Sequence, residues 1–377
     1  MSTPKPLLLA YVACWAELDA KAVAGNLLTH VNYAFAVIDS AGKLVPFMNL
    51  NYESLAKDDP ALKALGYEEA CRRAEADLSL ARRLKAAYPH LTLLISIGGW
   101  AAEGFSDAAL TEASREQFAD NAISFMKEHG FDGLDLDWEF PGNDMAGIRA
   151  RPEDRQNFTL LLRTLRQKLD ATSLADGRTG SARYLLTVAV GAMPSLLEGT
   201  DIAAIAPELD FINLMTYDFY NGWSTQAGHH SNLFASASDP NGESIQKTVA
   251  IFRDAGVAPE KLVIGAAFYG RGMTLLAHEQ HGLMQASEKG SNFTRTYEEI
   301  LPLLAPDSAW SRHWDEAAQA PYLSDGKSFL SYEDEASVRA KARFARAQGL
   351  GGVMFWEYSN NRSGQLLRAL HSALYED

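Results

Sequence analysis

The sequence predicts an α/β fold: a closed (β/α)8 TIM barrel with a small α+β insertion before its last helix and strand. Three observations lead there. Eight short runs rich in apolar or β-branched residues recur along the 377 residues. Amphipathic segments alternate with them, and that rhythm implies a parallel sheet with right-handed crossovers. About 80 residues separate the last two runs, more than a single helix fills. An open doubly wound sheet is the alternative. No glycine-rich phosphate fingerprint follows the first run, which weakens it.

The first run, LLLAYVA at 7–13, loosely mimics an export signal. Its positive region is a single Lys, and Tyr11 and Trp15 are bulky where small residues should precede a cleavage site, so it reads as a first buried strand. Location stays open between secretion without a visible leader and the cytoplasm. HVNYAFAVI at 30–38 is the second strand and LTLLISIGG at 91–99 the third, with a helix marked by Leu78, Leu80, Ala81 and Leu84 before it. Phe118, Ile123, Phe125 and Met126 mark the next helix, ending at Gly130 as a C-terminal glycine should. FDGLDLDWEF at 131–140 follows, then a helix through Phe158, Leu161, Leu162, Leu165 and Leu169, then YLLTVAVGA at 184–192 and DFINLMTY at 210–217. Val249, Ile251 and Phe252 lie on a helix closed by Gly256, and KLVIGAAFYG at 261–270 is the seventh strand. Val338, Ala342, Phe344 and Ala345 mark the last of these helices, ending at Gly349, before GGVMFWEY at 351–358.

The expected organisation is a catalytic barrel over 1–272 and 331–377, with 273–330 an inserted subdomain. That segment holds Tyr297, Trp310, Trp314, Tyr322 and Phe329, enough aromatics for a small core or one wall of a groove. A formal net charge of −14 repels phosphate backbones and anionic membranes, so neither nucleic acid nor membrane is expected as a partner. A neutral or cationic substrate and a monomeric protein are expected. Cys14 and Cys71 exclude a disulfide scaffold; whether they pair with each other stays open. No HExxH or comparable set occurs among the nine histidines, and no GxSxG elbow, so neither a metal, a cofactor nor a serine nucleophile is expected. His229 and His230 are candidate groove-wall residues.

The strand at 131–140 carries the chemistry. Leu134, Leu136, Trp138 and Phe140 alternate with Asp135, Asp137 and Glu139. In a barrel the apolar face packs on helices, so the acids point inward, ~6.6 Å apart in succession from two residues at ~3.3 Å each. Glu139 then sits toward the C-terminal rim, where barrel enzymes hold their active sites. Asp132 is out of phase and faces or caps the turn. Three inward carboxylates cannot all ionise cheaply, so one keeps a proton near neutral pH. A protonated Glu beside an ionised Asp would make a general acid with its tuning partner. Acids turned to water, or a carboxylate site for a hard cation, are the competing readings.

FDGLDLDWEFPG resembles the DxxDxDxE signature of the family 18 glycoside hydrolases, the chitinase family, with Phe140 where Tyr is frequent. SIGGW at 96–100, MTYDF at 215–219, GRGM after AAFY at 267–273 and GVMFWE at 352–357 are similar to further motifs of that family, in order from Leu8 to about Tyr358. The insertion resembles that of its deep-groove members. The resemblance implies a retaining hydrolase of β-1,4 links between N-acetylglucosamine units of chitin or its oligosaccharides, with the substrate's acetamido group as nucleophile. It implies Glu139 as general acid, Asp137 holding the acetamido N–H, Asp135 sharing a proton beneath, and Tyr217 donating to the acetamido carbonyl. Trp356 would floor the pocket, Trp100 and Trp223 would contact leaving-side sugars, and Asp218, Met215 and Arg271 would line the groove, with Tyr11 filling the interior beside them. An endo-β-N-acetylglucosaminidase acting on glycans, or an inactive chitin-binding lectin, is the alternative. Exo or endo action, processivity and chain-length preference stay open.

Overall fold

The computed structural model describes residues 5–376 other than 17, 58 and 278. The ring strands are β1 (Leu7–Ala13) and β2 (His30–Ile38), to which a short β3 (Leu44–Pro46) adds antiparallel, then β4 (Thr92–Gly98), β5 (Gly133–Asp137), β6 (Leu185–Gly191), β7 (Phe211–Met215) and β8 (Leu262–Ala267). A second sheet follows: β9 (Tyr269–Thr274), β10 (Phe293–Thr296), β11 (Ser311–Asp315), β12 (Ala320–Ser324) and β13 (Ser328–Ser331). The chain then returns to the ring in β14 (Gly352–Trp356). The large sheet runs in the order β1-β14-β8-β7-β6-β5-β4-β2, and β1 also pairs with β2, so eight parallel strands close on themselves as the (β/α)8 barrel expected. By internal packing the chain forms two units, one mainly Tyr11–Val190 and Pro194–Ile212, the other mainly the chain beyond residue 213.

In the first unit the strand of acids is shorter than expected, ending at Asp137. Its outer face behaves as the alternation predicts: Leu134 and Leu136 are fully buried, and the Trp138 ring stacks on Phe105 at 5.4 Å and meets Phe158 edge-on. Phe158 comes from the helix Asp154–Ala175. The helix Glu112–His129 begins at a capping box between Thr111 and Ser114 and ends at Gly130, whose φ of 81° is the left-handed conformation that favours glycine. At the start of β5, Asp132 accepts from Lys85, Arg178 and the Leu93 amide, which makes it a structural tie rather than a member of the acid row. Residues 47–77 form helices that the apolar pattern does not announce, and Tyr52, Ala56 and Ala70 make a satellite core there with Met48, Leu62 and Leu65.

In the second unit one expectation is corrected. The run 261–270 is two strands, not one: β8 stays in the ring, and β9 leaves it at Tyr269 to join the antiparallel sheet β10-β9-β13-β12-β11. Phe268 is the hinge, its amide donating to the Trp356 carbonyl at 2.8 Å and its ring stacked on Phe355 at 4.1 Å. Gly272 is demanded there, since a Cβ would come within 2.2 Å of the Phe293 ring. Met273, Leu275, Leu283, Tyr322 and Phe329 form the core of this sheet with Ala227. Both cysteines are free, and burial pushes the Cys14 thiol up to about 12.

Candidate active site

Strand register assembles one group of the expected residues. β4 and β5 align Ser96 with Asp135 and Gly98 with Asp137, while β5 and β6 align Asp135 with Thr187. Ser96, Asp135 and Thr187 are therefore neighbours in one row, and all three are fully buried. Asp135 accepts from Ser96 at 2.8 Å, Thr187 at 2.6 Å and the Tyr11 hydroxyl at 2.8 Å. Three hydroxyl donors on one carboxylate replace the water it lost. Tyr11 is 2 % exposed, inside the barrel, where its hydroxyl donates to Asp135.

Asp137 is different. It is 4 % exposed, and its Oδ1 has no hydrogen-bond partner. Burial, then the Glu139 and Asp135 carboxylates, push its pKa well above the ordinary carboxylate range. Asp137 therefore binds its proton more tightly than an ordinary carboxyl. Glu139 lies two residues past the end of β5 and is half-buried. Its peptide bond to Phe140 is cis.

The glycines of SIGGW explain themselves here. Gly98 has φ 116° and a Cβ on it would sit 2.1 Å from the Asp137 carbonyl oxygen; the Gly99 amide donates to that same oxygen at 3.0 Å. Gly99 also has positive φ, and a Cβ would strike the Phe35 ring at 2.8 Å. Two consecutive residues without side chains thus let β4 end directly against the backbone of Asp137. Trp100 follows and is 45 % exposed. Trp15, which the sequence did not nominate, is equally exposed and packs on Phe47 at 5.4 Å.

A separate group of the expected residues lies in the other unit. β7 ends at Met215, half-buried, and the chain turns tightly, with the Thr216 amide donating to Leu214 and the Tyr217 amide to Met215. Tyr217, half-buried, meets Tyr269 edge-on at 6.1 Å. A Cβ on Gly265 of β8 would lie 2.8 Å from the Tyr217 ring, so this glycine makes room for it. Asp218 adopts φ 59°, a left-handed conformation that Asp tolerates better than most residues. It accepts from Arg271 at 2.8 and 2.6 Å and from the Tyr269 hydroxyl at 2.8 Å. Burial alone would raise Asp218; the paired guanidinium and nearby His230 outweigh it and hold the carboxyl well below its usual range. Arg271 is correspondingly raised despite its own burial. Arg271 and Asp218 are therefore partners of each other first.

His229 and His230 are not groove-wall residues: they are 3 % and 0 % exposed. His229 faces Asp315 at 3.3 Å, and His230 lies 3.6 Å from Asp218. Trp223 is 66 % exposed in the loop after β7, and Trp356 is half-buried at the C-terminal end of β14. Ser96, Thr216 and Tyr269 lie inside the motifs quoted above but were given no role there, and Thr187 and Gly265 were not singled out. For Thr187 and Gly265 a lone hydroxyl or glycine inside an otherwise apolar strand is the signal available. Among the described residues no His, Cys, Asp and Glu group has the makings of a metal site.

A family model for glycosyl hydrolases family 18 matches residues 8–361, and the chain belongs to that family. It is 33 % identical over 411 residues to Chitinase A1 of Niallia circulans, a match covering 97 % of this chain and 58 % of that protein. It is 31 % identical to Chitotriosidase-1 of Mus musculus, covering 93 % of this chain and 72 % of the relative. The chain thus spans little more than half of the bacterial relative. Among solved structures, a family 18 N-acetylglucosaminidase from Paenibacillus barengoltzii superposes with a TM-score of 0.85 at 39 % identity, covering 98 % of this chain and 100 % of that one. A mutant class V chitinase from Nicotiana tobaccum in complex with NAG4 superposes at 0.80 with 25 % identity, covering 98 % and 99 %.

Proposed function

We propose that this protein hydrolyses β-1,4 links between N-acetylglucosamine units by substrate-assisted catalysis, with Glu139 as the acid. The observation that carries the reading is Asp137: a buried, proton-retaining carboxyl with a vacant acceptor, set between two further acids. A buried polar atom left without a partner costs free energy until a ligand satisfies it. An acetamido N–H is a donor of the right kind. Once it is held, the acetamido carbonyl oxygen attacks the anomeric carbon while Glu139 gives its proton to the leaving glycosidic oxygen. The C–O bond breaks, and a cyclic oxazolinium ion carries the positive charge. The nucleophile is tethered to the substrate, so its orientation costs little entropy at the reaction step. The carboxylate row stabilises the cation. Water then adds to the anomeric carbon, giving its proton to Glu139, and the ring opens with retention.

Tyr217 is assigned the hydrogen bond to the acetamido oxygen, and Trp356 the apolar face of the sugar. Trp100 and Trp223 are assigned to leaving-side sugars, Met215 to the pocket floor, and the antiparallel sheet that β9 begins to a groove wall. Several relatives carry the name chitinase, and the tobacco structure holds NAG4, which supports oligosaccharides of this kind as substrates. Removal of single N-acetylglucosamine units is the second reading, favoured by the name of the Paenibacillus structure.

The test uses fluorogenic chitobiose and chitotriose, fluorogenic N-acetylglucosamine, and a released-glycan assay on glycoprotein. Glu139→Gln should lower turnover by about 10²-fold or more while retaining oligosaccharide binding. Unchanged turnover in Glu139→Gln would remove the acid assignment. Oligosaccharide binding without turnover by the native protein would point to a lectin.

A further inference from the structure

Lys341, on the helix Glu335–Ala347, is fully buried, and so is its partner Glu333 at 1 % exposure. Lysine almost never sits at zero exposure unless its ammonium is fully paired. Here all three of its donors are used. One makes an ion pair with the Glu333 carboxylate, one goes to the Ser231 carbonyl at 2.5 Å and one to the Ser231 hydroxyl at 2.8 Å. Glu333 is held in turn by the Ser337 hydroxyl at 2.6 Å. A structure that needed only stability would do as well with apolar side chains of similar volume. What the pair touches suggests a different reason for it.

The Ser231 hydroxyl, which accepts from the ammonium, has two acceptors within reach of its single hydrogen: the Glu333 carboxylate at 3.0 Å and the Thr216 carbonyl at 2.9 Å. Thr216 is the residue before Tyr217. Its own side chain brackets Gly265 of β8, donating to the carbonyl at 2.9 Å and accepting from the amide at 2.8 Å. The next turn is tied to the same loop, for the Phe219 amide donates to the His230 carbonyl at 3.1 Å and the His230 amide to the Ser331 hydroxyl at 3.0 Å. Residues 216–219 have left the ladder of β7, so these side-chain and backbone bonds stand in for the strand pairing they lack. Two of these partners, the Ser231 hydroxyl and the His230 carbonyl, lie side by side on one loop.

We infer that the buried Lys341–Glu333 pair is a positioning device that, through Ser231 and Thr216, sets where Tyr217 and Asp218 stand. The pair touches no substrate and is no catalytic residue. Its contribution rests on Tyr217 acting on the substrate, as proposed above, and it should therefore enter kcat rather than KM.

The experiment compares the single variants Lys341→Met and Glu333→Gln with the double variant, which leaves no unpaired buried charge. Each single variant should melt lower than the double. The double variant should keep a cooperative melt and near-native KM on chitotriose but lose kcat by about 10- to 100-fold, the scale of a misplaced group. In a Tyr217→Phe background the same double change should cost little further activity, because both act through one side chain. A purely structural pair would lower activity equally in both backgrounds. A second readout needs no turnover: 3-fluorotyrosine placed at position 217 should shift or broaden its fluorine resonance in the double variant. If kcat and the resonance are both native, the inference is overturned. If the native protein hydrolyses nothing yet the resonance moves, the positioning role stands and the proposed reaction falls.

Discussion

Asp137 is where residue-scale physics is most exposed to measurement. An unfolded Asp ionises near 3.8, and the native environment raises that value. The native state therefore binds the proton more tightly than the unfolded chain does. That contribution to stability is whole below about pH 4 and is lost as pH rises through the folded pKa. Asn has no such titration. Thermal melts of Asp137→Asn should match the native protein in acid and show a growing advantage toward neutral and alkaline pH, while turnover falls by about 10²-fold. A variant that is relatively less stable at high pH would contradict the buried-acid picture. The alternation of the strand announced an inward row of acids. It did not announce how the acids differ, because that follows from depth and from neighbours on β1, β4 and β6: Asp135 has three hydroxyls, and Asp137 has an oxygen with none.

Elements meet the site through their glycines. Gly265 leaves room for the Tyr217 ring, and a Cβ there would also come within 2.7 Å of the Leu214 carbonyl oxygen. Backbone cannot yield as a flexible side chain does, so Gly265→Ala should displace the ring and the turn together. The expected cost is about 1–3 kcal/mol of stability, read from denaturant midpoints, and a 10- to 100-fold loss of kcat. Retained kcat with normal stability would mean that Tyr217 has another way to stand. Most ring strands could be read from their runs, because a strand buried on both faces must be apolar throughout. The break inside 261–270 could not. Ala267, Phe268, Tyr269 and Gly270 suit either sheet, and only the partners waiting on β13 and β10 decide where the chain leaves the ring. The helices over 47–77 were hidden for a similar reason: their apolar residues serve a small satellite core and lack a long periodic stripe.

For the whole molecule the accessible variable is charge. A net charge of −14 creates a field that attracts cations and ignores neutral sugars. Partially deacetylated oligosaccharides carry free ammonium groups, so their KM should rise between about 20 and 500 mM salt as screening shortens the field. The KM of the fully acetylated oligomer should stay level across the same range. Parallel salt dependence for both would exclude long-range steering as the cause. Among the described residues no helix is long and apolar enough to cross a membrane.

What the sequence determined alone was the periodic part: eight strands, the helices with strong stripes and glycine ends, and the alternation that sets Asp135 and Asp137 on one face of β5. Period and composition suffice there, since each residue's environment follows from its own position in the repeat. The tertiary structure alone decided how those acids differ, where β9 leaves the ring, and why a lysine on an outer helix is buried. Each depends on partners distant in sequence, such as Ser231 for Lys341, 110 residues away, and Thr187 for Asp135, 52 residues away. Hydrogen bonding and desolvation act through space, and one chain's residue order carries no local mark of which distant group will arrive.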